Sequence, residues 1–288
     1  MSRKRRTWTA HARERLAAAF RAAAQGFPRS GSEVADIVHD ARKDLKRAAS
    51  LTRLFAPIVG APAYGALDIA DAARKAIARA RDLDVLPSAL ERLKCAPESR
   101  EILMRAIAAE REKARNAHVE IDIKRITAEL LTCADDIDGW DLGEEADEPL
   151  LNSLRQTFRS AKRRGRIAWA TADADDLHAL RARVVDLGQQ ITLFESAWSA
   201  LISAQALELH RLRTSLGDHN DLTVLGEFTL SRRELSAAAV EAVVAEVLKR
   251  RKPLEHRAHE QYNRIFAERP GAFERRFAGY LAFPQKRV

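Results

Sequence analysis

A chain of 288 residues with a formal net charge of +8 and a pI near 9.8 is long enough for one large core or two smaller ones, and its cations favour anionic partners: nucleic acid, anionic lipid or phosphate polymers. Alanine, leucine, arginine and glutamate dominate, glycine, proline and aromatics are few, and β-branched residues form no alternating runs, which predicts an all-α protein. No apolar run approaches ~18 residues, so no transmembrane helix is expected, and the basic start MSRKRRTW leads into no continuous apolar segment of the secretory kind.

Residues 7–25 read as a first helix, with Leu16, Phe20 and neighbouring alanines on one side; Gly26, Pro28 and Gly31 break it. Ser32 and Glu33 open a second helix, which 56–57, Gly60 and Pro62 end. On this helix His39, Arg42, Lys43, Lys46, Arg47, Ser50 and Arg53 fall within an arc of roughly 140°, while Ile37, Ala41, Leu45, Ala48 and Leu51 lie largely away from it. A cationic face therefore opposes an apolar one. Taken alone, such a stripe reads as the solvated side of an amphipathic helix.

A third helix is predicted over 66–80, carrying Arg74, and the motif RDLDVL at 81–86 reads as a helix-end turn capped by Asp82. One long helix is expected over 98–133. Residues 135–148 hold acids and no base, with Gly139 and Gly143, and read as a loop or linker. Cations return beyond Pro149, where Arg155, Arg159, Lys162, Arg163 and Arg166 recur at helical spacing. A loop around 173–176 precedes a helix beginning near Leu177. Four late cations, Lys249, Arg250, Arg251 and Lys252, face all sides of a helix, so at most two can point inward.

The second half repeats the first at a constant offset of 139 residues. His39-x-x-Arg42 matches His178-x-x-Arg181, Phe55 matches Phe194, Arg74 matches Arg213, and RDLDVL matches NDLTVL at 220–225, with Asp221 in place of Asp82. Several matches at one offset imply a duplicated helical unit, and two such units about a pseudo-twofold axis would bring both histidine helices to one central groove. The expected organisation is a first repeat over 1–134, an acidic linker over 135–148 and a second repeat over 149–288.

The segments VHDARKDLKRAASLTRLF (38–55), ARARDLDVL (78–86), LHALRARVVDLGQQITLFE (177–195), LGDHNDLTVL (216–225) and AERPGAFERRFAGYLAF (267–283), in this order, resemble the CHAD domains, α-helical domains named for their conserved histidines. The resemblance runs from about Trp8 to Phe283. It implies an all-α fold of two pseudo-symmetric antiparallel four-helix bundles and a basic central surface that binds inorganic polyphosphate. It also implies a cytoplasmic protein, associated in some members with polyphosphate granules or with a polyphosphate-metabolising enzyme.

Carried over residue by residue, the resemblance places His39, Arg42, Lys43, Lys46, Arg47 and Arg53 in the first repeat's share of the site. His178 and Arg181 match in the second repeat, where Ala182 and Val185 stand at positions that are commonly Lys or Arg. Arg155, Arg159, Lys162 and Arg163 match a basic helix of the family, and Arg74 and Arg213 are secondary contacts.

The chemistry fits a polyphosphate chain, which offers charge but no base, sugar or apolar part. Arginine can fork two of its oxygens and lysine acts as a mobile point charge. No glycine-rich phosphate cradle is present, and neither a cofactor nor a metal is expected; His210, His219, His256 and His259 lack a carboxylate or cysteine partner for zinc. Cys95 and Cys133 read as structural thiols of a reducing cytoplasm, and Trp140, Trp169 and Trp198 as packing residues. Two alternatives stay open. Charge alone would suit nucleic acid, a reading weakened by the lack of an interleaved basic and aromatic motif. A phosphoryl-transfer enzyme would use His39 or His178 as nucleophile, but no paired-carboxylate metal site accompanies those helices.

Overall fold

The computed structural model describes residues 8–27, 34–76, 81–116, 122–143 and 147–282, apart from the side chains of 34–40, 81–82 and 114–116. Among the described residues the regular structure is helix, without a strand. The helices are α1 (Trp8–Gln25), α2 (Val34–Val59), α3 (Ala61–Ala76), α4 (Arg81–Asp84), α5 (Leu86–Glu91), α6 (Pro97–Asn116), α7 (Ile123–Asp138), α8 (Asp147–Thr171), α9 (Ala174–Ile191), α10 (Ser199–Leu230), α11 (Ala237–Ile265) and α12 (Pro270–Ala282).

The first two helices lie where the apolar spacing puts them. Ala12, Leu16, Ala19, Phe20 and Ala23 of α1 are buried, as are Ala41, Leu45, Ala48, Leu51 and Phe55 of α2. Helix α2 nevertheless runs through the exposed Pro57 and ends at Gly60, whose φ of +74° is the left-handed conformation that closes a helix. The third helix starts earlier than expected, at Ala61, because Pro62 suits a first turn.

Four further expectations need correction. The stretch 98–133 is not one helix: α6 and α7 are separate, and Asp122 caps α7 by accepting from the Arg125 amide at 2.8 Å. The two pack into different cores, α6 with α5 and α7 with α1. The acidic stretch is not all loop, since α7 continues to Asp138 and α8 begins at Asp147. Finally, NDLTVL lies inside the 32-residue α10, so Asp221 is not a helix-end cap; its counterpart RDLDVL spans α4 and the start of α5, with the Asp82 side chain outside the described residues. Helix α9 begins a turn earlier than Leu177, because Asp173 accepts from the amides of Asp175 and Asp176.

Acidic residues of 135–148 serve as fasteners. Arg21 of α1 bridges Asp135 and Asp138 of α7 at 2.8 and 2.7 Å. Asp147 accepts from the Thr9 amide at 2.8 Å, the Thr9 hydroxyl at 2.7 Å and the Trp8 amide at 3.3 Å, so the first residue of α8 caps the start of α1.

Two apolar cores result. The larger draws on α1, α2, α3, α7, α8, α9, the first half of α10, the second half of α11, and α12. The smaller joins Leu86, Leu90, Leu103 and Ile107 to Leu222, Leu225, Val243 and Val247. Helices α10 and α11 pack antiparallel, Ser215 against Gln261, His219 against Glu255 and Gly226 against Val247, and so run through both cores. Trp140 is buried against Phe55, and Trp169 packs on His259. Trp198 lies at the surface, half exposed, and packs edge-on against Tyr280. Neither cysteine is in a disulfide, and burial, with Asp136 nearby, pushes the Cys133 thiol up to about 12.

Candidate anion-binding site

The basic helix α2 packs on α1, α3, α8 and α9. Its junction with α9 is polar and buried. Ser50 donates to Asp186 at 2.7 Å, and Gln190 donates to the Ser50 carbonyl at 2.8 Å. Asp186 is only 3% exposed and also meets Arg53 at 3.1 Å and Arg183 at 3.0 Å. A carboxylate taken out of water needs such company, because an unpaired buried charge is costly.

This knot separates the predicted cations into two kinds. Arg53 is held by Asp186 and, at 3.5 Å, by Asp71, and Arg74 pairs with the same Asp71 at 3.1 Å. Arg155 meets Glu274 at 3.3 Å. Lys162 donates to the Glu268 carbonyl at 2.7 Å and pins the turn between α11 and α12. Each of these cations has an acceptor within the fold, although the Nε of Arg155, like that of Arg47, is shielded without a hydrogen-bond partner among the described residues.

The remaining predicted cations of α2 lie toward its start. Arg42 and Lys46 are half-buried and Lys43 is exposed, with no carboxylate in ion-pair range of Lys43 among the described residues. Arg47 is half-buried, and its Nε is shielded from solvent without a hydrogen-bond partner among the described residues. Burial, and then the like charge of Arg15 on α1, hold its guanidinium below the usual arginine value, with Asp44 offsetting part of this. The His39 side chain lies outside the described residues.

On α9, His178 is exposed with Nδ1 3.2 Å from the Asn220 side-chain oxygen, and Arg181 lies over Gly217 of α10. Both therefore sit on the flank of α9 that meets α10, while Asp186 and Gln190 meet α2. Arg213 is half-buried on α10. Arg159 and Arg163 are exposed on α8, with no ion pair among the described residues. Among the described residues no cluster of His, Cys, Asp or Glu could hold a metal ion, and no helix is long and apolar enough to cross a membrane.

The CHAD domain model matches residues 8–230. The chain belongs to the CHAD domain family. The crystal structure of the CHAD domain from the plant Ricinus communis shares its fold, with a TM-score of 0.64 and 20% sequence identity over 91% of this chain and 92% of that one. No curated protein matches the chain.

Within this CHAD domain, the cations missed by sequence reasoning are Arg15 and Arg269. Arg15 belongs to the expected first helix, but its approach to Arg47 depends on how α1 packs on α2. Arg269 gains meaning only from the bonds of Lys162 to the neighbouring carbonyls. Of the late run, Arg251 is the residue that turns inward, donating to His219 at 2.9 Å, while Arg250 pairs with Glu246.

Proposed function

We propose that this CHAD domain binds inorganic polyphosphate, with Arg42, Lys43, Lys46 and Arg47 of α2 as its main contacts and His39, His178 and Arg181 as lesser ones. The carrying observation is the shielded, unpartnered Nε of Arg47 next to Arg15. A guanidinium Nε shielded from solvent beside a like charge gains from an external anion, and a phosphate chain supplies closely spaced oxygens. A duplicated origin of the site is supported by helix starts at Ala61 and Ser199, which recur near the 139-residue offset.

Arg53, Arg74, Arg155 and Lys162 serve this reading indirectly, by fixing the helices that carry the site. The protein binds without turning over its ligand, acts in the cytoplasm, and is carried on the polymer to granules or to a polyphosphate-metabolising enzyme.

The test is the triple variant Arg42→Ala, Lys43→Ala and Lys46→Ala. It weakens binding of long-chain polyphosphate and flattens its salt dependence while helicity stays the same. Unchanged affinity removes α2 from the site. DNA displacing polyphosphate at equal charge concentration defeats the selectivity, and phosphate release with Mg²⁺ defeats binding without turnover.

A further inference from the structure

The seam between α10 and α11 holds a histidine with two competing partners. His219 is 2% exposed, and its Nε2 lies 2.8 Å from the Glu255 carboxylate and 2.9 Å from Arg251 Nε. A ring nitrogen carries either a proton or a lone pair in the ring plane, never both. With a lone pair, Nε2 accepts from the Arg251 N–H and has nothing to donate to Glu255. With a proton, it donates to Glu255 and turns a donor toward the Arg251 N–H. The two contacts therefore alternate. In the first state Glu255 keeps a cation, because Arg251 Nη2 stands 3.7 Å from the same Oε1.

The charged groups around this trio are engaged elsewhere or face away. At the end of α5, Arg92 pairs with Asp218. On α9, Arg181 lies over Gly217 and His178 meets Asn220. On α10 itself, Asp221 projects about 200° round the helix from His219. On α11, Lys249 and Arg250 are held by Glu246, and Lys252 is exposed. Burial is the first influence on His219 and holds its pKa below the ordinary histidine value; Arg251 adds to this and Glu255 opposes it. We infer that His219 is an acid-driven switch: its protonation transfers Glu255 from Arg251 to the imidazolium and releases the Arg251 guanidinium to solvent beside Lys252. The helices stay joined, since a charge-assisted bond replaces the neutral one. What changes is the surface of α11, which gains a mobile cation from a side chain that is 19% exposed before release. The switch does not depend on what the protein binds.

The experiment follows the full chain by NMR from about pH 8 to about pH 4.5, with isotope labels in histidine and arginine. The expected result is that the His219 ring titrates with a midpoint below about 6.5. At that same midpoint the Arg251 Nε–H signal, rigid and displaced at high pH, moves to the free-arginine position and becomes mobile. Arg251→Gln removes the competing cation and raises the midpoint, whereas Glu255→Gln lowers it, each by about one pH unit. An Arg251 signal that stays put while His219 titrates overturns the switch. So does a His219 ring still neutral at the acid end, or a midpoint that both variants move in the same direction. Backbone signals of α10 and α11 that persist through the transition set it apart from acid unfolding, and their loss at the same midpoint also overturns it. The wild-type titration decides the exchange of partners even where a variant fails to fold.

Discussion

Ser50 on α2 and Asp186 on α9 share a 2.7 Å hydrogen bond inside the protein, 136 residues apart in sequence. The same carboxylate holds Arg53 and Arg183. Asp186→Ala leaves Arg53 with Asp71 alone, frees the part-exposed Arg183 and strands the buried Ser50 hydroxyl, so it is expected to cost about 1–3 kcal/mol. Urea denaturation measures this as a lower midpoint at unchanged slope. A midpoint equal to wild type would mean that the knot contributes nothing net.

The carboxylate of Asp147 satisfies donors of α1 from across the chain. Asp147→Ala is expected to lose about 1–2 kcal/mol, the cost of removing a good cap. Amide hydrogen exchange locates the effect: the first turn of α1 loses protection, and Asp147→Asn recovers part of it.

His219 is buried between α10 and α11, its Nε2 2.8 Å from Glu255 and 2.9 Å from Arg251 Nε. Arg92 approaches from α5 to pair with the adjacent Asp218. Burial lowers the His219 pKa, Arg251 lowers it further, and Glu255 raises it in part. The folded protein therefore takes up this proton less readily than the unfolded chain. Its contribution to stability is complete above the unfolded histidine value of about 6.5 and is lost as pH falls below it, by at most about 1.4 kcal/mol per pH unit. His219→Leu flattens stability between pH 7 and 5; an unchanged slope assigns the pH dependence to other groups.

Gly165 is where α8 meets Tyr262, whose hydroxyl donates to the Lys162 carbonyl. A Cβ at 165 would overlap the Tyr262 ring. Gly165→Ala is expected to destabilise by about 1–3 kcal/mol through overpacking. Adding Tyr262→Leu should return part of that loss, and the double-mutant cycle measures the coupling. Additive losses would show that the two positions are independent.

The helical fold was legible because burial on one face leaves a period in the sequence, and α1 and α2 show it plainly. The break between α6 and α7 was hidden in a run of mixed charges, where Asp122 looks like any surface acid until its cap is seen. Helix α10 was hidden by the opposite circumstance. It is buried on several sides and shows no single apolar face, so NDLTVL within it reads as a helix-end turn. At the site, arginine content was visible, but not which arginines remain available. Arg53 is claimed by an acid 133 residues away and Arg155 by one on α12, pairings that no local pattern encodes.

The small core has a consequence for how the chain can be divided. Its apolar members come from 86–107 and from 222–247, one set on each side of the acidic stretch. A polypeptide cut there would leave two fragments, each with half of a hydrophobic lock exposed. Produced separately they should be sticky and incompletely ordered, and mixed they should complement one another into a folded pair, so continuity of the backbone matters less here than the presence of both halves.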